Sequence, residues 1–192
     1  YNGTNVIDSS DLLLTNLLTG ETVSLSGQGT VVSADVGANK TVTSVNLALT
    51  GANAGNYTLN SYTTSFEILP KVINLTGTKV YDGLTTVPNA SLTVTTGVSG
   101  QSLDLKGSGS VISAATGNGK TISIGTLELD STGSGSDSNY TLSGGAHTLN
   151  VTARPLTFSS SRNYDGTTTA NTSGLTYTFS NLVSGESLVL LG

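Results

Sequence analysis

Apolar residues in this chain come in short runs broken by polar ones, most often in alternation, and that period predicts strands. Within 71–153 seven are expected: Val72 to Gly77, Ser91 to Thr96, Leu103 to Lys106, Ser110 to Ala114, Lys120 to Leu129, Tyr140 to Leu142 and Ala146 to Thr152. Clusters of Gly, Asn and Ser separate them, as a β-sandwich requires. Ser10 to Leu18 carries a helix-like start, with Asp11 placed to cap Leu12-Leu13-Leu14. Its counterpart, Ser91 to Val98, alternates through Leu92 and Val94, so both are read as strand. In Lys120 to Leu129, Ile122 and Ile124 share one face, while Leu127 and Leu129 fall on the other. Val42 and the later Val45, Leu47 and Leu49 change phase in the same way. One inserted residue turns over every later side chain, so a β-bulge or bend is expected in both strands.

The pattern repeats. Tyr1-Asn2-Gly3, Tyr81-Asp82-Gly83 and Tyr164-Asp165-Gly166 are spaced by 80 and 83 residues. Leu17-Leu18-Thr19-Gly20-Glu21 returns as Gly97-Val98-Ser99-Gly100-Gln101 and again as Leu182-Val183-Ser184-Gly185-Glu186. Asn39-Lys40-Thr41-Val42 returns as Gly119-Lys120-Thr121-Ile122, and Asn56-Tyr57-Thr58-Leu59 as Asn139-Tyr140-Thr141-Leu142. The expected organisation is a first repeat at 1–70, whose N-terminal strand is read as missing, a complete second at 71–153 and a partial third at 154–192. The junctions hold Pro70 with Lys71 and Pro155 with Arg154, which favours short, stiff crossings over flexible linkers. The expected fold is all-β: small immunoglobulin-like sandwich modules in an elongated array, with a β-grasp-like sheet as the alternative. A parallel β-helix is disfavoured, because its coils repeat about every twenty residues.

Composition narrows the function. With 12 acidic and 7 basic side chains the net charge is −5, and no basic cluster is present to neutralise phosphates or a membrane surface. Nucleic-acid binding and membrane insertion by this stretch are therefore not expected. The 32 Thr and 27 Ser supply the polarity that charges do not, and Thr with Val favours strands. Cys is absent, so disulfides and thiolate metal sites are excluded. A cysteine-free β chain rich in Thr, Asn and Gly fits an exported bacterial protein.

The recurring residues read as architecture. The motif Tyr packs its ring at the end of a module, and Asp-Gly closes a turn. Asn2 stands in for Asp in the first copy, a swap that preserves turns and not acid chemistry. Asp130 and Asp137 are the two carboxylates a calcium ion would use, but the matching loop of the first copy has no Asp. His147, the single histidine, is read as facing solvent on a strand. Lys40 and Lys120 are read as solvated strand-end charges, since no acid recurs beside them to support an isopeptide bond. No recurring nucleophile, base and orienting group can be assembled, so an enzyme is not expected.

Lys79-Val80-Tyr81-Asp82-Gly83-Leu84-Thr85, Val98-Ser99-Gly100-Gln101-Ser102-Leu103, Gly119-Lys120-Thr121-Ile122 and Asn139-Tyr140-Thr141-Leu142 together resemble the YDG repeat. The resemblance covers essentially the whole chain. This repeat and the related mostly-beta, glycine-rich (MBG) domain occur in filamentous-haemagglutinin-like bacterial surface proteins. The resemblance implies export to the cell surface, tandem arrays and cell adhesion, with no catalytic residues and no cofactor. Its structural residues here are Tyr1, Gly3, Tyr81, Asp82, Gly83, Tyr164, Asp165 and Gly166, with Tyr57 and Tyr140. The expected role is an extracellular spacer whose partners are neighbouring repeats. The alternative is a module that itself binds host or neighbour-cell glycans or proteins, with Tyr62 and Tyr177 as exposed aromatic candidates.

Overall fold

Thr148–Thr152 shows how the alternation becomes structure. Leu149 and Val151 point inward and are buried, while Thr148, Asn150 and Thr152 face outward. This strand runs parallel to Thr76–Val80 and antiparallel to Gly117–Thr121, and Leu92–Thr93 completes a four-stranded sheet on the far edge of Thr76–Val80. Leu75 and Leu149 are completely buried. The computed structural model describes residues 1–59, 65–169 and 175–190. Among them the fold is all-β, in small open sheets with no barrel, and its only helices are three-residue 3-10 turns.

The elements recur with the sequence. Val6–Asp8 pairs antiparallel with Gln28–Thr30, as Thr86–Pro88 pairs with Ser108–Ser110. Ser24–Ser26 pairs with Ala48–Thr50, as Asp104–Lys106 pairs with Glu128–Asp130. Gly37–Thr41 pairs with Ser65–Ile68, as Gly117–Thr121 pairs with Thr148–Thr152. A hairpin of Thr157–Ser161 and Thr176–Ser180 opens the third copy. The first repeat has its own core of Ile7, Val31, Val42 and Ile68, packed round by Tyr1, Leu12, Val36, Leu47 and Phe66. By backbone packing the chain forms two compact units interleaved in sequence. One takes 1–74, 94–106 and 128–145; the other takes 75–93, 107–127 and 146–192.

Three expectations are corrected. The segments around Asp11 and Ser91 begin as 3-10 turns, Ser9–Asp11 and Asn89–Ser91, and only the second leads into a strand, Leu92–Thr93. The expected ten-residue strand from Lys120 does not exist. Gly117–Thr121 ends, and a tight turn follows in which Leu127 N–H donates to the Ile124 carbonyl. Leu127 therefore changes face because the strand stops, not because it bulges. The ladder irregularity lies earlier, between Gly37 and Lys40 and between Gly117 and Lys120. There Asn39 (φ 57°) and Gly119 (φ 63°) take the left-handed conformation that accommodates an extra residue.

His147 is the third correction: it is 5% exposed. Its Nδ1 accepts the Leu75 amide at 3.1 Å, just where Thr148 N–H donates back to the Leu75 carbonyl at 2.9 Å. The imidazole thus extends the parallel ladder by one bond. His147→Leu keeps the volume but strands the Leu75 amide. It is expected to cost about 2 kcal/mol, because an orphaned buried donor forfeits its full desolvation; urea unfolding measures it.

Candidate functional site

The Tyr-Asp-Gly triplet builds a fixed turn. Asp82 Oδ1 accepts the Leu84 amide at 2.9 Å, and Gly83 sits at φ 78°. Asp165 accepts the Thr167 amide at 2.9 Å in the same way, with Gly166 at φ 76°. Asn2 accepts the Thr4 amide at 3.0 Å, with Gly3 at φ 82°. These are Asx turns, which an amide oxygen caps as well as a carboxylate does.

A buried cation stands behind the Asp. Lys79, whose side chain is 5% exposed, donates to Asp82 Oδ1 at 2.8 Å, to the Leu84 carbonyl at 2.7 Å and to the Thr86 carbonyl at 2.8 Å. An ammonium has three donors, and all three are used. Arg162 repeats the arrangement, donating to Asp165 Oδ2 and Thr167 Oγ1, each at 3.1 Å, and to the Thr169 carbonyl. Burial pushes the Asp82 carboxyl up, but the hydrogen bonds from Lys79 and the Leu84 amide, with the lysine's charge, outweigh it and hold it below the usual carboxylate value. The sequence carried a signal for this cation: a basic residue stands three positions before Asp in both copies.

The motif's outer face meets another repeat. Within the first unit, Tyr1 Oη accepts from Gln101 Nε2 at 2.6 Å, and Tyr140 Oη donates to Gln101 Oε1 at 2.6 Å. The rings of Tyr1 and Tyr140 meet edge to face, centroids 5.3 Å apart. A Cβ on Gly3 would lie 2.5 Å from Val98 Cγ1, so this glycine is required by close approach as well as by φ. Beside it, Asn139, 2% exposed, accepts the Val36 amide at 2.8 Å and donates to Asp35 Oδ1 at 2.8 Å. That bond, with a second from Ser33, lowers the Asp35 carboxyl.

Within the second unit the contact recurs. Tyr81 Oη donates to Glu186 Oε1, and a Cβ on Gly83 would lie 2.7 Å from Val183 Cγ1. The hydrogen bond to Glu186 is the first cause raising the Tyr81 hydroxyl above its ordinary value. Lys71 donates to the Gly97 carbonyl at 3.2 Å, as Arg154 donates to that of Asn181. The basic residues of the Pro junctions therefore hold the same loop. Each repeat offers a donor, Tyr-x-Gly, and an acceptor, the Val/Gln or Val/Glu turn. The second repeat's acceptor also includes its Asn-Tyr pair.

The other candidates go elsewhere. Asp130 lies 3.9 Å from Lys106 Nζ, and the Asp137 amide donates to Ser131 Oγ. Among the described residues no group of three or more His, Asp or Glu could hold a metal ion. Lys40 and Lys120 each donate to a loop carbonyl, Ser33 and Ser113, at 3.2 Å. Tyr177 is half-buried against Phe179, rings 5.7 Å apart, and is not the exposed aromatic expected. Tyr62 lies outside the described residues. No helix among the described residues is long and apolar enough to cross a membrane.

No curated protein matches the chain, and no solved structure does. The family model of the YDG domain matches residues 1–65 and 69–148, so the seams just described join repeats of that kind, and the chain belongs to the YDG domain family.

Proposed function

We propose that the chain is a spacer stretch of a bacterial surface adhesin, exposed outside the cell and acting through its repeats and not through catalysis. One observation carries the reading: the glycine of one repeat seats on the valine of the next, at Gly3 on Val98 and at Gly83 on Val183. The positions that recur most clearly are spent on turns and on contacts between repeats. That is how a stacked repeat protein gains stability, with each unit supported by its neighbour.

Force spectroscopy on a tethered chain tests it. Unfolding is expected in regular steps of about 28 nm, the extended length of an eighty-residue repeat at ~3.5 Å per residue. The same preparation is expected to show no saturable binding to glycan arrays or host cells. Saturable binding would replace the spacer with the adhesive module.

A further inference from the structure

The acceptor surface used by the second and third repeats is also built in the first. Glu21 N–H donates to the Leu18 carbonyl, the turn that Gln101 makes with Val98 and Glu186 with Val183. Tyr57 Oη donates to Glu21 Oε2, as Tyr140 does to Gln101. The Leu18 amide donates to Tyr57 Oη at 3.1 Å, so the pieces are already set in place.

What differs is cover. Val98 and Val183 are half-buried beneath a glycine, whereas Leu18 is 69% exposed. Asn139 is buried in the second repeat, whereas its counterpart Asn56 is exposed. The donor side shows the same contrast. Tyr1 and Tyr81 are half-buried, and Tyr164 is 96% exposed. The open face of Gly166 meets no described atom within 4 Å, while those of Gly3 and Gly83 are covered.

We propose that these two uncovered surfaces are mates: Tyr164-Asp165-Gly166 of one chain docks on Leu18, Glu21, Asn56 and Tyr57 of a second copy. Tyr164 Oη donates to the Glu21 carboxylate, which Tyr57 already uses, and Gly166 lies over Leu18. A carboxylate accepts from both tyrosines, so no donor is stranded. The contact is heterologous, so it does not close on a dimer and adds chains in series. Its small area makes the association weak. The inference does not rest on the adhesin reading, and it stands or falls on association alone.

Sedimentation velocity from about 10 μM to about 1 mM brackets so small a contact. The wild-type chain is expected to sediment faster with concentration, with no plateau at a dimer. Leu18→Asp and Tyr164→Ala, both at exposed positions, are each expected to stay monomeric. Their equimolar mixture is expected to give a dimer and nothing larger, because each variant retains one intact surface. Tyr164→Phe, which loses only the hydroxyl, falls between wild type and Tyr164→Ala. A wild-type chain that stays monomeric throughout, single variants that associate like wild type, or a mixture that does not pair would each overturn the proposal.

Discussion

Gly107→Ala is expected to lower stability by about 3–4 kcal/mol, a large share of the roughly 5–15 kcal/mol that a domain has. The residue sits at φ 82°, where a Cβ costs about 1–2 kcal/mol. That Cβ would also lie 2.0 Å from the Thr126 carbonyl oxygen, which is backbone and cannot swing aside. The strands must separate there. The bonds at risk are Ser108 N–H to Thr126 Oγ1 at 3.0 Å and Thr126 N–H to the Ser108 carbonyl at 2.9 Å, worth about 1 kcal/mol each. Gly27 has the same place in the first repeat, at φ 88° and 2.2 Å from the Asn46 carbonyl oxygen, and Gly27→Ala should behave alike. Gly144 is the control: φ is 80°, but nothing described lies within 4 Å, so Gly144→Ala should cost only the conformational part. Urea midpoints of the three variants separate the contributions. Equal losses at 107 and 144 would mean that the close approach relaxes freely.

Lys79→Met is expected to cost about 3 kcal/mol, since it keeps the buried stem and strands two carbonyls and a carboxylate. Asp82→Asn should cost only about 1 kcal/mol, because the amide oxygen still caps the turn, as Asn2 does. The pair also predicts a pH dependence. The Asp82 carboxyl titrates lower in the folded chain than in the unfolded one. Its contribution is therefore complete above the unfolded value, about 4, and is lost as pH falls through the folded value. Wild type should lose more stability than Asp82→Asn between neutral and acidic pH. Asp165 and Asp35 are lowered too, so the difference between the two proteins, not the wild-type curve alone, isolates Asp82. Parallel curves would show that the Lys79–Asp82 pair does not sense protonation.

Much of the fold was legible because it rests on local rules. Alternation marked Thr148–Thr152, and the Asp-Gly turn was readable because an Asx turn spans only a few residues. The period was readable because each repeat needs the same local parts. What escaped were pairings across long stretches of chain. Gly3 meets Val98, and Asn139 meets Asp35, at separations that no period announces. His147 escaped for another reason. A lone polar residue in a strand reads as outward-facing until its partner is known, and that partner is a backbone amide. Lys79 was visible as part of a motif, but its burial depends on three acceptors converging on one ammonium.

The donor and acceptor of each seam carry a consequence for how such proteins change over generations. Because the residues for both faces lie inside one eighty-residue period, duplicating that stretch of gene copies both fittings together. An inserted or deleted period leaves every remaining boundary matched. Copy number can therefore drift by recombination with no compensating substitution, whereas an insertion of any other length breaks a boundary. Variation among relatives should accumulate in whole periods, and the interchange of Gln101 with Glu186 shows the one position where a fitting tolerates a change of chemistry.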